Sequence, residues 1–370
     1  MRVLAVTPGK PNSLRPSELP APALSVEPGQ TQVRVRVLQV GLCGTDREIN
    51  EGLYGTPPPG SEVLVLGHEN FGVVEETSPA ASALAPGDHV VAMVRRPGGS
   101  LYDRLGMPDL TTDDVYHERG ISLLHGFLSE WYVDDEAFLV RIPPALWHVG
   151  VLLEPLSVVE KGLVHGFDLQ RRLPVWRPQR AVVLGAGPVG LLATMALRLR
   201  GLAVVTLALP EPPYLNAELV ESLGAEYVSV RRATLGEVGK LRGAPDLIFE
   251  ATGYSPLVFE AMEVLGKNGV LILSGLSGGG REIAVRADSI NMGFVLGNKA
   301  MVGTVNAGRG HFELGLRDMA ACEILYPGWL SRLITHRVRG LDDHRPVLRL
   351  FEASEGDDRP IKAVVEVVPA

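Results

Sequence analysis

The stretch A-V-V-L-G-A-G-P-V-G-L-L-A-T-M-A-L-R-L-R-G, from Ala181 to Gly201, limits the possible fold more than any other part of the chain. Its unbroken apolar start reads as a strand buried on both faces. A turn with Gly185, Gly187 and Gly190 at G-x-G-x-x-G spacing follows, and then an apolar helix that Gly201 closes. The first glycine permits the tight turn, the second lets a pyrophosphate approach the backbone, and the third lets helix and strand pack closely. Pro188 and Val189 open the helix, whose free N–H groups suit phosphate. The spacing alone is a weak signal, but here it stands between a strand and a helix, as dinucleotide binding requires.

The alternation continues. L-A-V-V-T-L-A-L is a second strand, Asn216 to Leu223 a helix closed by Gly224, and Y-V-S-V a third strand. D-L-I-F-E-A-T-G, the helix through V-F-E-A-M-E-V-L, G-V-L-I-L-S-G-L and finally M-V-G-T-V complete the set. Six strands alternating with helices predict an α/β doubly wound parallel sheet of Rossmann type. An acidic residue near the second strand's end, about 20 positions past the glycines, grips the adenosine ribose in such sheets. Glu211 stands there, equally readable as a solvated loop carboxylate. No arginine lies between Ala203 and Tyr214 to clamp a 2′-phosphate, which leans the expectation towards NAD without excluding NADP.

The first ~150 residues have another style. V-R-V-R-V-L-Q-V alternates apolar with polar, the period of a half-buried strand, and further short strands follow between Gly and Pro breaks. Arg95 to Glu118 shows little periodicity and reads as a surface excursion. Three separated pieces here carry chemistry: G-L-C-G-T-D, G-H-E and L-L-E-P. Cys43, His68 and Glu154 supply thiolate, imidazole and carboxylate, and three protein ligands with an open fourth position make a catalytic zinc site. Each alone is as readily a packed cysteine, a satisfied histidine or a helix-start carboxylate. Together, upstream of a dinucleotide fold, they point to metal.

Composition bounds the rest. Hydrophobic residues are 46% and charged residues 21%, ordinary for a globular chain. The net charge of −8 argues against a nucleic-acid partner. Two cysteines, Cys43 and Cys322, exclude a disulfide framework and suit a reducing compartment; Cys322 reads as a packing residue on an apolar helix. The absence of a signal-like or membrane-spanning run predicts a cytoplasmic protein with no membrane partner.

The chain also resembles a known family. C-G-T-D, G-H-E and the central G-x-G-x-x-G resemble the zinc-dependent medium-chain dehydrogenases. G-L-C-G-T-D-R-E-I, V-L-G-H-E, Y-H-E-R-G-I, G-F-L-S-E-W, E-P-L-S-V-V-E-K, F-E-A-T-G, L-G-K-N-G-V and P-I-K resemble, more narrowly, the archaeal-type glucose (aldose) 1-dehydrogenases. The resemblance implies a GroES-like, mostly-β catalytic domain over 1–156, a Rossmann domain over 157–306, and a return to the catalytic domain over 307–370. It implies zinc-dependent oxidation of D-glucose or a related aldose at C1 to the lactone, with hydride transfer to NAD or NADP. Cys43, His68 and Glu154 match zinc positions, and Glu69 matches a carboxylate that approaches the metal or holds it through water. Thr45, Glu118, Glu154 and Asn306 match positions contacting sugar hydroxyls, with Thr45 also relaying the proton. Gly187 to Gly190, Ser274, Gly275, Leu276, Thr304, Val305 and Asn306 match cofactor contacts.

Two departures stand out. Relatives commonly carry a structural zinc on a cysteine-rich lobe, but Arg95 to Glu118 contains no cysteine; the expectation is one catalytic zinc, with the lobe held by packing or a neighbouring subunit. Leu209 and Pro210 stand where NADP-using relatives carry an Arg pair. A homo-oligomer, dimer or tetramer, is expected. The rival readings are a polyol or secondary-alcohol dehydrogenase, a zinc-free reductase on the same scaffold, and a non-catalytic nucleotide-sensing protein.

Overall fold

The structure, a computed structural model, describes every residue except 26, 28, 354–358 and 368–370. The chain forms two compact units. The first comprises Met1–Glu154, Asn306–Met319 and Leu330–Ala370; the second comprises Pro155–Val305 and Ala320–Trp329. The return after 306 is therefore interrupted, since Ala320–Trp329 groups with the second unit.

The first unit is built around the strand Gln32–Leu42, in which Val33, Val35, Val37 and Val40 are fully buried. The alternation read from the sequence has this cause: every second residue faces the core. This strand pairs antiparallel with Glu69–Thr77, with Trp131–Asp135 and with Lys362–Glu366. Register then gathers three distant pieces of sequence. Gly41 lies opposite Glu69 and Leu42 opposite Ala363, so Cys43, His68 and Lys362 converge at one end of the sheet. Gly41 is required there, because a Cβ would come within 2.0 Å of Glu69 Oε2. Arg95–Glu118 is not a loose excursion. Arg95–Arg96 pairs antiparallel with His117–Arg119, closing the segment on itself.

The second unit is the doubly wound sheet. Its strands, in chain order Arg180–Leu184, Ala203–Ala208, Glu226–Ser229, Leu247–Glu250, Val270–Leu273 and Ala300–Gly303, lie side by side as third, second, first, fourth, fifth and sixth. All five pairings are parallel. This order puts a topological switch point beside the first strand, where such sheets bind nucleotides. The helices Pro188–Leu199, Leu215–Ser222 and Ser255–Val264 lie within three residues of their predicted places. Leu235–Arg242 was not anticipated; Thr234 caps it by accepting from Glu237 N, but only Leu235 and Val238 give it a buried face. Cys322 is fully buried, as expected of a packing residue. Among the described residues no helix is long and apolar enough to cross a membrane.

Candidate active site

Cys43 caps the short helix Gly44–Asn50, its Sγ accepting from Thr45 N at 3.2 Å. Asp46 closes the box by accepting from Cys43 N at 3.0 Å through Oδ2, and through Oδ1 it accepts from Gly67 N, also at 3.0 Å. The cap thereby fixes the thiol against the strand start that carries the next ligand. His68 Nε2 lies 3.2 Å from Cys43 Sγ, while its Nδ1 lies 3.8 Å from Asp46 Oδ1. Ligand atoms of His68, Glu69 and Glu154 lie within 4.8 Å of one another, as do those of Cys43, Asp46 and His68. His68 is common to both groups. Glu154 stands in the first turn of the helix Leu153–Gln170 and is buried.

Two partners escaped the sequence reading. Asp46 is fully buried beside His68, its Oδ1 3.8 Å from His68 Nδ1, a charge contact beyond hydrogen-bond distance. Lys362, also buried, donates to both oxygens of Glu69 at 2.6 and 2.7 Å and to Leu42 O at 3.3 Å. The Glu69 carboxylate, a candidate metal neighbour, is thus committed on both oxygens to an ammonium. The C-x-x-D spacing of a cap could have disclosed Asp46. Nothing local could have disclosed Lys362, which is 293 positions from its partner.

Charge in this cluster is one-sided. Cys43, Asp46, Glu69 and Glu154 face Lys362 and His68. Burial disfavours a charged His68, yet Cys43, Asp46 and Glu154 together hold its pKa well above the usual imidazole value. The Glu154 carboxyl is pushed up to about 7, mainly by burial, with Glu69 and Asp46 adding to the rise while His68 and Lys362 oppose it. A site that recruits protons onto its imidazole and carboxyl is one that a divalent cation would relieve. The donor set, with soft sulfur, imidazole nitrogen and carboxylate oxygen, fits zinc.

Thr45 borders the Tyr54 hydroxyl, which donates to Glu48 Oε2 at 2.8 Å. Glu118 and Asn306 are brought together, with Asn306 Nδ2 donating to Glu118 Oε1 at 2.9 Å. The same oxygen accepts from Arg95 Nε and Nη2 at 3.0 and 2.7 Å. Arg95 itself lies over the Tyr116 ring. Arg95 was not anticipated as Glu118's counter-ion.

In the second unit, Gly185 has φ +102° and a Cβ on Gly190 would meet Gly185 O at 2.0 Å, so the turn demands glycine at both. Gly187 precedes Pro188 and Val189 with open space where its Cβ would be, and no side chain caps the helix. That leaves an uncapped cradle suited to phosphate. Ser274, Gly275 and Leu276 follow the fifth strand; Ser274 N and Gly275 N donate to Glu250 O. Thr304 and Val305 follow the sixth. Thr304 Oγ1 is buried with no hydrogen-bond partner, and Val305 O accepts from buried Lys161 Nζ at 3.0 Å. These positions therefore share the carboxyl edge of the parallel sheet with the glycine turn. Glu211 is not free: its Oε2 accepts from Arg232 Nε at 2.8 Å. The second strand's end thus has a cation after all, delivered from the third strand's turn, beyond the segment in which an arginine was sought.

A mostly antiparallel unit with Cys, His and Glu gathered around His68, followed by a 3-2-1-4-5-6 parallel sheet, defines a medium-chain dehydrogenase fold. Residues 29–144 match the alcohol dehydrogenase GroES-like domain, and residues 147–367 match the glucose dehydrogenase C-terminus. The chain is 42% identical over 369 residues to a glucose 1-dehydrogenase of Methanocella arvoryzae, covering 99% of both chains. It is also 42% identical to glucose 1-dehydrogenase 1 of Caldivirga maquilingensis, covering 100% of this chain and 99% of that one. Among solved structures it is similar to Haloferax mediterranei glucose dehydrogenase in complex with NADP, zinc and gluconolactone. That match has TM-score 0.88 and 34% identity, and covers 100% of each chain. The chain belongs to the glucose dehydrogenase family of zinc-dependent medium-chain dehydrogenases.

Proposed function

We propose that this protein oxidises D-glucose, or a closely related aldose, at C1 to the lactone with NAD or NADP as the oxidant. The observation that carries the reading is the donor cluster centred on His68, whose Nε2 lies 3.2 Å from Cys43 Sγ and whose ligand atoms lie within 4.8 Å of those of Glu69 and Glu154. Oxidation takes a hydride from C1 and a proton from the C1 hydroxyl. When bound, zinc supplies a Lewis acid that makes the hydroxyl acidic, and the dinucleotide supplies the hydride acceptor. Cys43, His68 and Glu154 are the residues that would hold the metal. Asp46 Oδ1 lies 3.8 Å from His68 Nδ1, and Lys362 keeps the Glu69 carboxylate in place. Thr45, at the start of the helix that Cys43 caps, takes the departing proton. Glu118 and Asn306 pair with sugar hydroxyls, for which Arg95 holds the Glu118 carboxylate in one orientation. A ring of hydroxyls needs such converging polar groups, whereas a hydrocarbon alcohol needs apolar walls.

We infer a catalytic domain over 1–156 and 307–370 and a nucleotide domain over 157–306, close to the two compact units apart from Ala320–Trp329, with one zinc per chain. The cytoplasm suits the two free cysteines. A homo-oligomer is supported by the sixth strand, which is a sheet edge with Met301 exposed, because an unpaired edge is a template for a second copy. Initial rates with a panel of aldoses and polyols, each with NAD and NADP, test the activity. Turnover of aldoses above polyols is expected, and polyol turnover with every aldose inert would replace this reading by that of a polyol dehydrogenase.

A further inference from the structure

The carboxyl end of the second strand is tied residue by residue to the third strand and its turn. Tyr227 OH donates to Pro210 O at 2.7 Å, and Ser229 Oγ donates to Leu209 O at 3.0 Å. Ser229, itself buried, also shapes the turn that follows it. Its Oγ accepts from Arg231 N at 3.2 Å and its carbonyl from Arg232 N at 2.9 Å. That turn presents two successive arginines, both exposed, and one of them reaches Glu211. Register fixes where this happens. Leu184 pairs with Leu207, and Ala208 with Ser229, so Glu211 and Arg232 stand on the same sheet edge as the glycine turn and one strand away. In a doubly wound sheet that corner holds the adenosine ribose.

We propose that Arg232, supported by Arg231, is the cation for the 2′-phosphate of NADP, and that Glu211 is its exchangeable partner, so one corner serves both dinucleotides. The proposal rests on the dinucleotide-dependent reading above and assigns the residues that set its cofactor choice. With NAD, the Glu211 carboxylate accepts from the ribose hydroxyls while Arg232 stays paired with it. With NADP, the phosphate takes the guanidinium, whose planar fork matches two phosphate oxygens at once. The existing pair yields easily: its side chains are 62% and 43% exposed, and surface ion pairs are weak. Arg232 thereby supplies, from the third strand's turn, the charge that Leu209 and Pro210 lack.

Calorimetric titration of the zinc-loaded full chain tests this without relying on turnover. The probes are NAD, NADP, 5′-AMP and adenosine 2′,5′-bisphosphate. The wild type should bind both dinucleotides, with NADP affinity falling more steeply as salt is raised. Arg232→Gln should shift the ratio of the two dissociation constants at least tenfold towards NAD, with the same trend in the two nucleotide fragments. Glu211→Gln should shift it at least fivefold towards NADP. A ratio within twofold of wild type in both Arg232→Gln and the Arg231→Gln/Arg232→Gln double variant would overturn the proposal while leaving the functional reading intact. A wild type that binds neither dinucleotide would overturn both.

Discussion

Replacing Lys362 by methionine should be among the most destabilising single changes in the first unit. Its ammonium meets both Glu69 oxygens at 2.6 and 2.7 Å, and the two side chains are 2% and 3% exposed. Methionine has comparable length and no charge, so the cavity stays filled and the loss is electrostatic. Glu69 would then be a buried anion without its counter-ion, among Asp46 and Glu154, and stranding one member of a buried pair costs about 3–5 kcal/mol. For a unit of this size that is a fall in melting temperature of roughly 10 °C, at about 2–4 °C per kcal/mol. Lys362→Met/Glu69→Gln should recover most of the loss. Neither charge remains, and an unsatisfied amide costs only about 1–3 kcal/mol. The single and double variants make a cycle whose coupling term should be about 2 kcal/mol or more. The assay is guanidinium unfolding of zinc-free protein, because a metal beside a released Glu69 would mask the penalty. If Lys362→Met loses less than about 1 kcal/mol, or the double variant is no more stable than the worse single one, the pair is not the buried device described here.

Three further outcomes are expected. Cys43→Ala should abolish activity and most of about one zinc per chain while leaving the fold intact, because the site is an open three-ligand one; elemental analysis and circular dichroism decide this. Glu118→Gln should raise KM for glucose about tenfold, since losing a hydrogen bond to a charged group costs about 1.5–3 kcal/mol; an unchanged KM would remove Glu118 from the sugar site. Asp103 accepts from Ser100 N, Ser100 Oγ and Thr111 Oγ1, and these bonds outweigh burial to hold its pKa at about 2 against an ordinary 3.8. A depressed carboxyl stabilises above its unfolded pKa and loses that stabilisation as pH falls through the folded one. Asp103→Asn should therefore speed amide exchange across 96–116 at pH 7 and match wild type near pH 2.

The sheet of the second unit was readable because each strand is a short apolar run buried on both faces and the glycines mark the turns between strands and helices. Leu247–Glu250 is buried at every position, and Val270–Leu273 nearly so. The helix Leu235–Arg242 escaped because two buried residues make no visible period; its one clear sign is the Thr234-to-Glu237 cap. In the site, Cys43, His68 and Glu154 stand out only as a set upstream of a dinucleotide fold, and the structure brings His68 beside Cys43 and within 4.8 Å of Glu154. Their partners were hidden for a different reason. Lysine and arginine are common on any surface, and what distinguishes Lys362, Arg95 and Arg232 is only the carboxylate that the fold brings beside them. A contact between distant strands carries no local signature, so the family resemblance marks Glu69 as a candidate metal neighbour while its counter-ion stays hidden.

The segment 95–119 shows how register and charge can do what a metal does elsewhere. Its ends meet as paired strands with Arg95 opposite Glu118, and that pair is buried. Next to it Arg96 and Arg119 converge on Asp134, which stays ionised because their two charges outweigh its burial. At the far end of the segment Asp113 Oδ2 accepts from Gly99 N at 2.6 Å and from Ser100 N at 3.1 Å, and Asp103 gathers Ser100 and Thr111. Strand pairing and ion pairs within the chain are therefore added to the packing that the missing cysteines suggest. Four carboxylates, Glu118, Asp134, Asp113 and Asp103, accept from nearby donors and hold the loop. The exchange has a chemical consequence that a cysteine-bound metal would not bring: the loop's order depends on ionised aspartates, so strong acid rather than a chelator should loosen it. Exposure to a chelator at pH 7 should leave amide exchange across 96–116 unchanged, and acceleration there would show that a metal holds the segment.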